Sequence, residues 1–81
     1  MARISAESDK HGDLLRLGAS VRARRKGLGM SQEALADAAE IDRSHMGKIE
    51  RGERNVTILN VIKIAEALNI KPSTLLEIAG L

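Results

Sequence analysis

SQEALADAAEIDRSHMGKIERG, residues 31–52, decides how the rest of the chain is read. Ser31 is a good helix cap, and Leu35, Ala36 and Ala39 after it are spaced for the buried side of a short helix over 32–38. Glu40 and Ile41 break that pattern. Asp42 offers a second cap, Met46 and Ile49 lie three apart on one side of a further helix, and Gly52 stops that helix just after Arg51. Arg43, Ser44, His45, Lys48 and Arg51 are left pointing away from the inward side. Ala36 is small where the second helix must cross the first. The spacing therefore predicts two short helices joined by a tight turn, the later one presenting a polar, basic face.

The sequence on either side predicts three more helices. Residues 1–12 (MARISAESDKHG) are polar and show no period, so they read as a flexible tail. From Asp13, expected as an N-cap, Leu14, Leu17, Gly18, Val21 and Leu28 follow helical spacing until Gly27 and Gly29 end the run. After a loop at 53–56, Thr57 opens a fourth helix through Leu68, with Ile58, Val61, Ile64, Ala65 and Leu68 inward and Asn69 suited to the position just past its end. Pro72 suits the first turn of a last helix reaching Ala79. No stretch alternates with period two. The expected fold is all-α, with five helices forming one domain over residues 13–81.

Composition narrows the function. The 81 residues contain no Cys, which rules out disulfides and thiolate metal sites and suits a reducing cytoplasm, the expected location. The two histidines, His11 and His45, are far apart with no Cys ligand, so no metal is expected. There is no Phe, Tyr or Trp, the residues on which proteins stack the bases of single-stranded nucleic acid. No apolar run is long enough for a membrane span or a secretory signal. The formal charge of +2 says little, but its distribution says more: Arg22, Arg24, Arg25 and Lys26 form one basic run, and Arg43, Lys48, Arg51 and Arg54 another. No Ser/His/Asp or Cys/His grouping and no phosphate-cradling glycine loop suggests an enzyme, and no cofactor is expected.

Two helices in this arrangement are a helix-turn-helix, whose second helix has the dimensions to enter the major groove of duplex DNA. Ser31-Gln32 before Leu35-Ala36, then Ile49-Glu50-Arg51-Gly52, then Ile64-Ala65 with Leu68, resemble the phage-repressor (XRE-like) helix-turn-helix family over about residues 14–78. Asp42-Arg43-Ser44-His45 with Arg54-Asn55 is most similar to its restriction–modification controller proteins. The resemblance implies a transcriptional regulator that binds duplex DNA, acts as a homodimer and has RNA polymerase as a further partner. Glu40 departs from the family, which usually has glycine in the turn; a non-glycine residue there costs about 1 kcal/mol.

The resemblance also assigns roles. Gln32 would touch a phosphate or position a base contact. Arg43, Ser44 and His45 would reach base edges, Arg43 foremost because its fork matches guanine; the alternative for Arg43 is an ion pair with Asp42 or a neighbouring Glu. Lys48, Arg51, Arg54 and Asn55 would meet the backbone, with Arg54 also within reach of a base. Arg25 and Glu50 would form an ion pair that holds the scaffold. Leu59, Ile62, Leu75, Leu76 and Ile78 exceed what the core needs, so a C-terminal dimer surface is expected, with core packing the other reading. The N-terminal tail, with Arg3 and Lys10, reads as a disordered end or a minor-groove arm. A protein-binding module such as an antitoxin is the competing function.

Overall fold

The computed structural model describes residues 9–81. The elements are α1 (Asp13–Gly27), α2 (Gln32–Ala39), α3 (Arg43–Glu50), α4 (Ile58–Ala67) and α5 (Pro72–Ile78). α2 packs on α3 and α4, while α1 lies across α3 and α5. Leu35, Met46, Ile49, Ile64, Leu68, Leu75 and Val21 are the largest fully buried side chains, and all five helices or their ends contribute to this core. With no aromatic ring available, the core depends on aliphatic burial at about 1.5–3 kcal/mol per large side chain.

Three of the caps are side chains. Ser31 accepts from the N–H of Ala34, Asp42 from those of Ser44 and His45, and Thr57 from that of Asn60. The first helix differs from expectation. Asp13 does not cap it but is its first residue; Asp9 reaches in from outside, taking the N–H of Asp13 on Oδ1 and that of Leu14 on Oδ2, each at 2.8 Å. Residues 9–12, read as part of a flexible tail, instead form a turn closed by a bond from the Gly12 N–H to the Asp9 carbonyl. The part of the tail expected over Met1–Ser8, with Arg3, lies outside the described residues.

Every helix ends in the same way. Gly29, Glu40, Gly52, Asn69 and Gly80 have positive φ, and the next residue's N–H returns to a carbonyl of the last turn, as from Ile41 to Ala36 and from Glu53 to Lys48. Glu40, at φ 55° and ψ 43°, takes the left-handed conformation that glycine favours. This exit turns Ile41 back against the core and delivers the chain to the Asp42 cap.

The C-terminal apolar residues divide differently from expectation. Leu75, expected on a dimer surface, is 1% exposed and belongs to the core, because α5 turns Leu75 and Ala79, four apart, inward. Leu76 is half-buried against that core, and Ile62 is half-buried. Ile58, expected inward, is 63% exposed, in company with Leu59 and Ile78. Helical spacing fixes where a side chain points, not whether another element covers it.

Candidate nucleic-acid interface

Gly18 positions α3. A Cβ there would sit 2.5 Å from the Glu50 carbonyl oxygen and as close to that of Ile49, so the two backbones meet with no side chain between them. Periodicity marks Gly18 only as an apolar position, and nothing in a single sequence separates a contact glycine from a filler. This crossing places Arg25 of α1 against the end of α3. Its Nε and Nη2 donate to the Glu50 carboxylate at 2.8 and 3.0 Å, and its Nη1 donates to the Met30 carbonyl at 2.9 Å. Both residues are buried, and the bonded carboxylate holds the Arg25 guanidinium above its already high ordinary pKa, against the opposing effect of burial.

Gln32 joins the pair by donating from Nε2 to Glu50 Oε1 at 3.1 Å. A carboxylate only accepts, so this bond fixes which way the amide faces. The amide oxygen lies over Gly47, the buried glycine in the middle of α3, where a Cβ would come within 3.3 Å of it and 3.2 Å of Arg51 Nη1. Gly47 thus lets the Gln32 and Arg51 side chains settle against the helix backbone.

Beyond these supports lies an open groove of 510 Å³ lined by Gln32, Asp42, Arg43, Ser44, Gly47, Lys48 and Arg51. It brings together five of the eight residues to which the resemblance gives DNA contacts. His45 is half-buried on the same helix but outside the groove lining, while Arg54 and Asn55 lie beyond its end. Arg43 is exposed, with Nη1 3.6 Å from Glu33 Oε2, and so also makes the ion pair that was the alternative reading. Arg51 pairs with Glu53 at 2.8 Å, which lowers the carboxylate's pKa and raises the guanidinium's. Solvent screens exposed pairs, so either arginine can exchange its carboxylate for another acceptor. Ser44 is less free: its hydroxyl donates to Asp42 Oδ2 at 2.5 Å, leaving its oxygen as an acceptor toward the groove. An acceptor suits a base amino group and not a phosphate.

A helix-turn-helix model matches residues 21–75, which include the whole turn and both its helices. The chain belongs to the helix-turn-helix family. It is 42% identical over 65 residues to the control protein C.SmaI of Serratia marcescens, covering 80% of this chain and 77% of that one. It is 46% identical over 48 residues to the control protein C.BamHI of Bacillus amyloliquefaciens, covering 59% of each. The crystal structure of the restriction–modification controller protein C.AhdI from Aeromonas hydrophila superposes with a TM-score of 0.78 at 45% identity, covering 80% of this chain and 98% of that one. This helix-turn-helix protein is accordingly an all-α, XRE-like, DNA-binding transcriptional regulator. Among the described residues no helix is long and apolar enough to cross a membrane.

The Asp42 cap gives the domain a pH signature. Bonds from the Ser44 hydroxyl and the His45 N–H hold the Asp42 carboxyl below the usual aspartate range. A carboxyl whose pKa is lower folded than unfolded contributes stability above about pH 3.9, and that contribution is lost as pH falls through the folded value. Asp42→Asn, which caps as well without titrating, is expected to leave the urea midpoint at neutral pH nearly unchanged and to flatten its fall below about pH 4. Equal acid sensitivity in the two proteins would show that Asp42 does not carry it.

Proposed function

We propose that this helix-turn-helix protein is a restriction–modification controller that binds an inverted-repeat operator as a homodimer, with α3 in the major groove. The observation carrying this reading is the basic groove at the α2–α3 junction, whose side chains reach outward while Arg25, Glu50 and Gly18 hold the helix beneath them. Arg43 is the main reader, Ser44 and His45 assist at the same helix start, and Gln32, Lys48, Arg51, Arg54 and Asn55 hold the backbone. Base contacts give specificity and phosphate contacts give register and affinity.

A single recognition helix spans too few base pairs for useful selectivity among genomic competitors, and a dyad doubles the readout. Leu59 and Ile78, at 67% and 61% exposed, with half-buried Ile62 and Leu76, are the adhesive surface for a second copy. Exposed Ile58 extends it. Leu75 belongs to the core. The regulator acts in the cytoplasm, where its operators are.

In-vitro selection of duplexes from a random pool tests the reading. The expected product is an inverted repeat with half-site centres about 10 base pairs apart, the spacing that puts two helices in successive grooves on one face. Arg43→Ala is expected to lose preference at one base pair in each half-site and about 1–3 kcal/mol on the selected site. An unsymmetrical selected site would sink the dimer. An unchanged Arg43→Ala selection would sink the assignment of the reader.

A further inference from the structure

Arg22 has no part in the contacts described so far. It is exposed on α1, and among the described residues its side chain makes no hydrogen bond or ion pair. Yet it forms one wall of a second cleft, of 280 Å³, completed by Arg25, Gln32, Glu50 and Arg51. The floor is the Arg25–Glu50 pair, in which the two charges offset each other and each of the three guanidinium nitrogens of Arg25 is already bonded. The other cationic groups are Arg22 on one side and Arg51, paired with exposed Glu53, on the other. Gln32 has one amide N–H not bonded to Glu50.

This cleft is not isolated. Gln32 and Arg51 line both it and the groove beside α3, so the two cavities adjoin at these residues. With α3 in a major groove, a backbone strand along that groove's edge would pass these shared residues beside the cleft. Two guanidiniums with one amide donor over a neutral floor suit a compact anionic phosphodiester, because guanidinium forks match phosphate oxygens. A base edge presents no such charge.

We propose that the cleft between Arg22 and Arg51 is a phosphate site that seats one DNA backbone phosphate per subunit, and that Arg22 is a DNA contact. The proposal rests on the duplex-binding reading and adds a contact outside the two helices of the motif. It also gives Arg51 an acceptor in place of Glu53.

The test measures affinity for the selected operator and for an unrelated duplex between about 50 and about 200 mM salt. The proteins are the wild type, Arg22→Ala, Arg22→Lys and Lys63→Ala, the last a control on exposed α4, with circular dichroism confirming that all are folded. Arg22→Ala is expected to weaken both duplexes by the same factor, about five- to tenfold at the lowest salt. It should also reduce the slope of log K against log salt by about 0.9 per bound subunit, while Arg22→Lys keeps most of the slope. An Arg22→Ala slope equal to that of Lys63→Ala would overturn the phosphate site while leaving duplex binding intact. A loss confined to the operator would overturn it by making Arg22 a base reader. A wild type whose binding to either duplex does not depend on salt would overturn the duplex reading as well.

Discussion

Glu50→Ala is expected to destabilise the domain by about 3–5 kcal/mol, because it leaves the Arg25 guanidinium buried without its counter-charge. The side chains of the pair are 9% and 2% exposed, so water cannot replace the lost carboxylate without opening the α1–α3 contact. A domain this small has a total stability toward the low end of about 5–15 kcal/mol, and a large fraction of the variant should be unfolded at room temperature. Urea titration of Glu50→Ala, Arg25→Ala and the double variant measures the coupling. The double variant should be more stable than the sum of the two losses predicts, since removing both charges removes the uncompensated one. Additive losses would make the pair two independent side chains. Because Glu50 also holds Gln32, what stays folded should bind duplex DNA less tightly than the wild type.

Gly18→Ala is expected to have a comparable effect from a different cause. Alanine normally stabilises a helix by about 1 kcal/mol relative to glycine, so an increase in stability would be the ordinary result. At Gly18 the added carbon meets backbone carbonyls of α3, which cannot rotate away, and α3 must shift as a whole. Overpacking of this kind costs about 1–3 kcal/mol or more, enough to reverse the sign. Gly27→Ala is the control, since at the last residue of α1 a Cβ meets nothing within 4 Å and φ is not positive. One glycine of the same helix should lower the melting temperature and the other should raise it or leave it alone. At about 4–8 °C per kcal/mol for a domain of this size, thermal melts separate them easily. A rise in both would mean that the two helices cross less closely than described.

The elements were legible wherever one residue type does one job. Ser31, Asp42 and Thr57 cap, Pro72 starts a helix and Asn69 ends one, all from local chemistry that depends on no distant partner. The inward faces of α2 and α3 were legible because their apolar residues are few and clearly spaced. The first cap was not, since Asp13 and Asp9 are the same residue type and only the path of the chain before α1 decides which one turns back. Leu75 and Ile58 were misplaced for a related reason: their exposure depends on which elements cover α4 and α5, and sequence spacing carries no record of that. In the groove, the residue types at the α3 start pointed to DNA. The cleft walled by Arg22 needed the fold, because its walls come from α1, α2 and α3 at once.

The long-range ties of α1 bear on when the protein can act. Arg24 donates to the Leu68 carbonyl at 3.1 Å, and Arg16 donates to that of Ala79 at 3.1 Å across 63 residues of sequence. Leu75 of α5 completes the core on which α1 rests. A chain still emerging from the ribosome therefore carries α2 and α3 well before it has the last helix that steadies α1, and through Arg25 and Gly18 it is α1 that aligns the DNA-facing helix. The recognition surface is therefore expected to set firmly only after residue 79 has left the ribosome and α5 can dock.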